Sequence, residues 1–478
     1  MQKPFYFPSG HKCRTANGAG APVSPFAGEK VLVVGMARSG VAAAQLLCAH
    51  GATPVLNDLK PLAAFGEKLA ELDALPCEWR LGEDPVALLA HVDRVVISPG
   101  VPIDAPIVRA CKARGVPLMG ELELASRLAK GTIAAVTGTN GKTTTVTLLG
   151  EIFQNAGRIA HVAGNVGYPL SAAAMKSRAE DVLVTEVSSF QLETIETFHP
   201  KVAALLNVTE DHLNRHGTMA EYVRMKKRLF ENQTAADTAV LNADDELCRD
   251  IGEDIAAHTR VLWFSRKSEP EQGAFVRAGK IILRMEGAER AVCDAQEVRI
   301  PGPHNLENAL AAVCCAGAMG VPAPVIRHSL RTFAGVEHRI EFTRELDGVR
   351  YVNDSKGTNT DSTIKAVQSM KTPTTIILGG YDKHVSFAPL AAEIANTPLI
   401  EHVVLIGQTA PQIEDALRAV GYAAVTNAAD MTDAVHKARA LTGPGGCVLL
   451  SPACASFDMF DDYEQRGRVF KQIVNDLK

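Results

Sequence analysis

The stretch Val136-Thr137-Gly138-Thr139-Asn140-Gly141-Lys142-Thr143-Thr144 decides the reading of this chain. It follows an apolar run, Ile133 to Val136, that reads as a strand, and it precedes Thr145 to Phe153, which reads as a helix. A glycine-rich turn between strand and helix aims backbone N–H groups at a phosphate, and the helix N-terminus adds positive potential. Gly138, Thr139, Asn140, Gly141 and Thr144 line this turn. Lys142 has the reach for terminal phosphates, and the Thr143 hydroxyl is a Mg²⁺ ligand of the usual kind. Val136 stands where the first glycine of the common phosphate-loop pattern belongs, but the core Gly-x-x-Gly-Lys-Thr is intact. The sequence predicts ATP binding through Mg²⁺.

Working outward, Val182 to Val184 reads as a strand that delivers Glu186, and Val202 to Leu206 as one that leads to Asn207-Val208-Thr209-Glu210-Asp211-His212. Ligands of open α/β sheets gather at such strand ends. Alone, a strand-end acid caps a helix and a histidine decorates a surface. Beside a phosphate loop, Glu186 and His212 become candidate metal ligands.

On the N-terminal side, Lys30 to Val34 reads as a strand that ends in Gly35-Met36-Ala37-Arg38-Ser39-Gly40. A helix, Val41 to His50, and a strand, Pro54 to Leu56, follow, with Asn57-Asp58 at the strand end. This is a Rossmann-like start with its middle glycine replaced by Ala37, and Asp58 is placed to hold a ribose hydroxyl. Val95 to Ile97 is a further strand, ending in Ser98-Pro99-Gly100. On the C-terminal side, strands Thr374 to Leu378, Val403 to Ile406 and Cys447 to Leu450 alternate with helical stretches Leu390 to Ala395 and Ala410 to Val420, which predicts another doubly wound sheet.

The 478 residues suggest three domains at about 150 residues each. We expect an N-terminal tail over 1–28, a first domain over 29–120, a central domain over 121–335 and a third over 336–478. The predicted class is α/β: a Rossmann-like domain, a central P-loop-type mononucleotide-binding domain, and a second Rossmann-like domain. A net charge of −5 gives no electrostatic case for nucleic acid. The ten cysteines show no C-x-x-C spacing and read as reduced core residues of a cytoplasmic protein. No signal-peptide pattern opens the chain, and Ala309 to Ile326 reads as a buried helix and its following loop, so no membrane partner is expected.

Five segments together resemble the Mur ligases: Val136 to Thr143, Glu186-Val-Ser-Ser-Phe-Gln191, Asn207 to His212, Asn353-Asp-Ser-Lys356 and Ser451-Pro-Ala-Cys-Ala-Ser456. The last two point to the D-glutamate-adding branch. The resemblance implies an ATP-dependent ligase of peptidoglycan precursor synthesis, a monomer with two Mg²⁺. It would phosphorylate the carboxylate of UDP-N-acetylmuramoyl-L-alanine and let the amine of D-glutamate displace phosphate. It further implies that Lys142, Glu186, His212 and Lys226 are catalytic, with Lys226 working as a carbamate. Thr143, Glu186, His212 and carbamylated Lys226 would hold metal. Asn305, Asn308, Arg339, Asp354 and Lys356 would contact ATP. Ser39, Asp58, Gly100, Asn165 and His212 would contact the UDP substrate, and Thr358, Lys383, Ser456 and Tyr463 would contact D-glutamate. Tyr463 stands where the resemblance leads one to expect phenylalanine, and Leu59-Lys60 where it leads one to expect Thr-Arg. Another Mur-type or folylpolyglutamate-type ligase, or a nucleotide-binding module without turnover, is the competing reading. The Lys383 and Ser456 segments argue against the first, and the set Lys142, Glu186, His212 and Lys356 against the second.

Overall fold

Runs of Val, Ile, Leu and Ala too short for helices and buried on both faces form parallel strands, and three such runs of strands build this chain. The computed structural model describes residues 24–65, 72–383 and 385–478. Most of the expected N-terminal tail therefore lies outside the described residues. Phe26, inside the expected tail, is buried in the first core with the Arg94 guanidinium 5.4 Å from its ring.

The first sheet is wholly parallel, in the order Glu78–Trp79, Thr53–Asn57, Lys30–Val34, Arg94–Ile97, Leu118–Gly120. The second has nine strands, and its strands Val202–Leu205, Thr132–Thr137 and Val182–Glu186 lie side by side in parallel. The third has six strands, with Cys447–Leu450 between Val349–Asn353 and Thr374–Leu378. The α/β class with Rossmann-like outer domains and a mononucleotide-binding centre is thus the observed architecture.

Two features depart from the expectation of alternating strand and helix. The central sheet is extended by Gly273–Arg277, Lys280–Met285 and Ala288–Asp294, paired antiparallel. Their two-residue turns, Ala278-Gly279 and Glu286-Gly287, have positive φ at both positions, the geometry that matches the twist of a hairpin. The stretch expected as a helix and its following loop over Ala309 to Ile326 is instead parts of two helices, Pro303–Ala318 and Ala323–Thr332. Pro324 sits in the first turn of the second helix, where its missing N–H costs nothing. Among the described residues no helix is long and apolar enough to cross a membrane.

The helix Glu121–Leu128 leads from the first sheet into the second. Glu123 is fully buried in it and accepts hydrogen bonds from the backbone N–H groups of Glu196, Thr197 and Phe198. This helix is therefore fastened to the central sheet.

Candidate active site

The phosphate loop follows from its glycines. Gly138 has φ +151° and Gly141 φ +87°, and a Cβ on Gly141 would stand 2.2 Å from Asn308 Oδ1. Only glycine allows the turn and the close approach together. The helix Lys142–Asn155 begins directly after it, with no side chain capping its N-terminus. Lys142 Nζ is folded back onto the loop, donating to the Gly138 and Thr139 carbonyls at 2.8 Å each. Burial pushes its pKa down, with Arg339 adding to the fall and Glu186 and Asp211 opposing it.

Parallel register sets Val136 opposite Glu186, so the acid arrives beside the loop. The Thr143 hydroxyl donates to Glu186 Oε2 at 2.7 Å, and Asn165 Nδ2 donates to Oε1 at 2.8 Å. Lys356 Nζ, from the third domain, donates to Thr143 Oγ1 at 2.7 Å. A hydroxyl and a buried carboxylate converging beside a phosphate loop are the hard oxygen donors that Mg²⁺ selects. An ammonium already stands against the hydroxyl oxygen, so the donor set suits a cation.

His212 opens the short helix Leu213–His216 with φ +55°. Its ring meets Phe190 edge-on at 4.8 Å between centroids. Burial lowers its pKa, Asp211 opposes, and Lys383, Lys142 and Lys226 lower it further, which favours the neutral imidazole that ligates metals. Lys226 and Lys227, adjacent in sequence, part company here. Lys227 is ion-paired with Asp254 at the surface. Lys226 is 1% exposed, its ammonium 4.5 Å from the Tyr222 ring. Burial and then Lys142 push its pKa well below the ordinary lysine value.

A cleft of about 380 Å³ between the central and third domains is lined by Asn140, Gly141, Asn308, Arg339, Asp354 and His304, among others. Among the described residues, Arg339 Nε, on this lining, is buried without a hydrogen-bond partner. An unpaired guanidinium N–H and an open helix N-terminus above a glycine turn fit a polyphosphate. Asn305 stands behind this lining, its amide donating to Pro301 O and its carbonyl accepting from Asn308 Nδ2 at 3.1 Å. Asp354 is buried and accepts from Ser451 Oγ at 2.6 Å, and burial raises its pKa to about 6. His304 was not singled out by sequence reasoning. Burial, followed by Arg339, Lys365 and Arg266, lowers its pKa to about 3.

The third domain is drawn over the loop. Beyond Lys356, Ser362 Oγ donates to Asn140 Oδ1 at 3.0 Å, and Asn140 Nδ2 donates to Asp361. Lys383 Nζ reaches Thr358 O at 3.2 Å and is close enough to influence His212. Ser456 is buried. The Tyr463 ring lies 5.3 Å from Lys356 Nζ. The segments that carry Lys356 and Ser456 share one support that sequence reasoning missed. Arg466 is wholly buried and donates to Ser355 O, Cys454 O and Ala455 O. Neither Arg466 nor Asp361 belongs to a motif, so no local signal marks them.

In the first domain, Ser39 lies in the first turn of the helix Arg38–Ala49, and Gly100 is exposed in the loop after Arg94–Ile97. Asp58 accepts from the Met36 N–H at 2.9 Å and the Lys60 N–H at 3.0 Å, so it braces the glycine turn. A second cleft, about 250 Å³, separates this loop from the central domain and is lined by Ser98, Val101, Phe190, Glu193 and Arg215, among others. Arg215 spans it, with a fork on Glu193, a hydrogen bond to Val101 O at 3.1 Å and its guanidinium 4.4 Å from the Phe190 ring.

Comparison with known proteins matches this arrangement. The profile described as Mur ligase middle domain matches residues 136–316. Those of the Mur ligase glutamate ligase domain and the MurD-like N-terminal domain match 338–454 and 29–120. The chain belongs to the Mur ligase family. Among family members, the UDP-N-acetylmuramoylalanine--D-glutamate ligase of Pelotomaculum thermopropionicum is 48% identical over 454 residues, covering 95% of this chain and 99% of that one. The protein of the same name from Thermoanaerobacter sp. is 46% identical over 453 residues, covering 94% and 99%. Among solved Mur ligase structures, UDP-N-acetylmuramate-alanine ligase MurC from Thermotoga maritima superposes with a TM-score of 0.60 at 19% identity, covering 94% of this chain and 100% of that one. A pseudomurein peptide ligase type C from Methanothermus fervidus has the same score at 17% identity, with the same coverage. These two likenesses speak to fold alone.

Proposed function

We propose that this chain is the ATP-dependent ligase that joins D-glutamate to UDP-N-acetylmuramoyl-L-alanine, acting as a cytoplasmic monomer in peptidoglycan precursor synthesis. The observation that carries the reading is near full-length identity of 43–48% to relatives bearing that activity's name. Lys383, on the third domain, is close enough to lower the His212 pKa, which leaves a cation near the proposed metal site for an acceptor carboxylate.

The chemistry follows from charge. A carboxylate is a poor electrophile, and ATP converts it to an acyl phosphate with phosphate as leaving group. Lys142, Lys356 and Arg339 gather positive charge where the γ-phosphoryl group passes from ADP to the carboxylate oxygen, and they hold it in line rather than attack it. Mg²⁺, held by Thr143 and Glu186 and, at a second position, by His212 and carbamylated Lys226, would neutralise the anions that must meet there. Carbamylation suits Lys226, because a buried neutral amine adds CO₂ and the product is an oxygen ligand. Asn165 braces Glu186 and borders the path of the muramoyl-alanine carboxylate. Lys383 pairs with a D-glutamate carboxylate, with Thr358, Ser456 and Tyr463 assigned to the same ligand, and the amine of D-glutamate then attacks the acyl carbon and displaces phosphate. Ser39, Asp58 and Gly100 hold the UDP end, and Asn305, Asn308 and Asp354 the nucleoside end of ATP.

The test is phosphate release from ATP with an acceptor panel of D-Glu, L-Glu, D-Asp and Lys. Release that needs both UDP-N-acetylmuramoyl-L-alanine and D-Glu is the expected result. Release with a different amino acid moves the chain to another branch of the family, and nucleotide binding without turnover overturns the enzyme reading.

A further inference from the structure

No disulfide joins any two of the described cysteines, and they are not alike. Cys111, Cys248, Cys293, Cys314, Cys315, Cys447 and Cys454 are buried, and burial pushes the pKa of each upward. A thiol held protonated in an apolar core is inert. Cys48 and Cys77 are half-buried, and their sulfurs lie 3.7 Å apart in a hydrogen bond. That bond lowers the pKa of Cys77 against the opposing effect of burial. The contact joins two elements that are distant in sequence. Cys48 sits in the last turn of the helix Arg38–Ala49, and Cys77 immediately precedes the edge strand Glu78–Trp79. Between them run the strand Thr53–Asn57 and Asp58, the carboxylate that braces the glycine turn.

We propose that Cys48 and Cys77 form a peroxide-responsive pair that closes reversibly into a disulfide and locks the first domain. The Cys77 thiolate attacks hydrogen peroxide, breaking the O–O bond and leaving Cys77 as a sulfenic acid with release of hydroxide. The Cys48 thiol then attacks the Cys77 sulfur. The S–S bond forms, the S–O bond breaks, and water leaves with the thiol proton. Two thiols are oxidised and one peroxide is reduced to water. The cross-link removes freedom from the unfolded chain across a separation of 29 residues and so stabilises the domain. Neither sulfur lines either cleft. The pair is therefore a lock that leaves the phosphate loop alone, and it spares Cys77 further oxidation.

The test is alkylation and peptide mapping of the full-length protein before and after hydrogen peroxide. The expected result is a cross-linked peptide containing Cys48 and Cys77, lighter by two hydrogens, together with a higher melting temperature. Dithiothreitol should reverse both. In Cys48→Ser, Cys77 should instead be trapped by dimedone as its sulfenic acid. Cys48 and Cys77 that stay alkylatable while other thiols oxidise overturn the proposal. So does a cross-link of either to Cys13, or a Cys77 that passes to sulfinic acid with Cys48 present. The mapping needs no variant, so a folding defect in Cys48→Ser leaves the proposal testable.

Discussion

Two glycine turns in this molecule join a parallel strand to a helix, and they have different work. At Gly35 to Gly40 the turn is tight: Gly35 has φ +92°, and a Cβ on Gly40 would stand 2.0 Å from Gly35 O. At Gly138 to Gly141 the close approach is to Asn308 instead. In both, a helix begins without a side-chain cap, leaving its first N–H groups for an anion. The turns diverge in what the neighbouring strand ends deliver. The first receives Asp58, which spends its carboxylate on backbone N–H groups. The second receives Glu186, which meets a hydroxyl and an amide, and it carries Lys142 on the helix itself. The backbone cradle is common property; chemistry comes from the side chains that register places beside it.

The hardest test of that contrast is Lys142→Ala. Losing the charge beside the transferring phosphoryl group should lower kcat by about 10²–10³-fold or more, roughly 3–4 kcal/mol. Calorimetry should show binding of UDP-N-acetylmuramoyl-L-alanine unchanged. Turnover within about tenfold of wild type would remove the distinction between the turns.

Lys226→Ala should come next. Loss of a buried ligand beside the phosphate loop should leave activity about 10²-fold down, with partial recovery in acetate. Carbon-13 NMR of the protein under ¹³CO₂ should show a carbamate signal that is lost in Lys226→Ala and kept in Lys227→Ala. An adduct on Lys227 would contradict the burial that separates the two.

The third domain brings a further contrast, between the phosphate loop and the surface we propose for the acceptor. Lys383→Ala should raise the KM for D-glutamate by about 1.5–3 kcal/mol, the worth of a charged hydrogen bond. The KM for ATP should move far less. Steady-state kinetics that show the UDP substrate weakened and D-glutamate untouched would reverse this division.

The smallest effect is reserved for the first turn. Gly40→Ala forces a methyl against Gly35 O and should cost about 1–3 kcal/mol through displacement of the turn. It should appear as a raised KM for the UDP substrate and a lower melting temperature, with the KM for ATP unchanged. An equal rise in both would show that the two turns are coupled through the Arg215 span.

Much of the site was legible because its signals are local. A strand, a glycine turn, a lysine and a threonine at fixed spacing specify a phosphate loop wherever they occur, and strand-end residues such as Glu186 and His212 follow from chain order. The alternating apolar runs determined the α/β class for the same reason: each strand declares its own burial. The rest depended on groups far apart in sequence. Lys226 and Lys227 are neighbours on one helix, and only the packing against Tyr222 separates the buried amine from the ion-paired one. Asp58 has the spacing of a ribose ligand, and only the fold shows that its oxygens also accept from the Met36 and Lys60 N–H groups and so brace the glycine turn. Asp361 and Ser362 reach Asn140 only because the third domain sits over the central one, and Arg466 matters only because two loops converge on it. Composition and periodicity carry no record of such meetings, since a hydrogen bond across a domain boundary is set by the placement of whole sheets and not by the residues on either side of it.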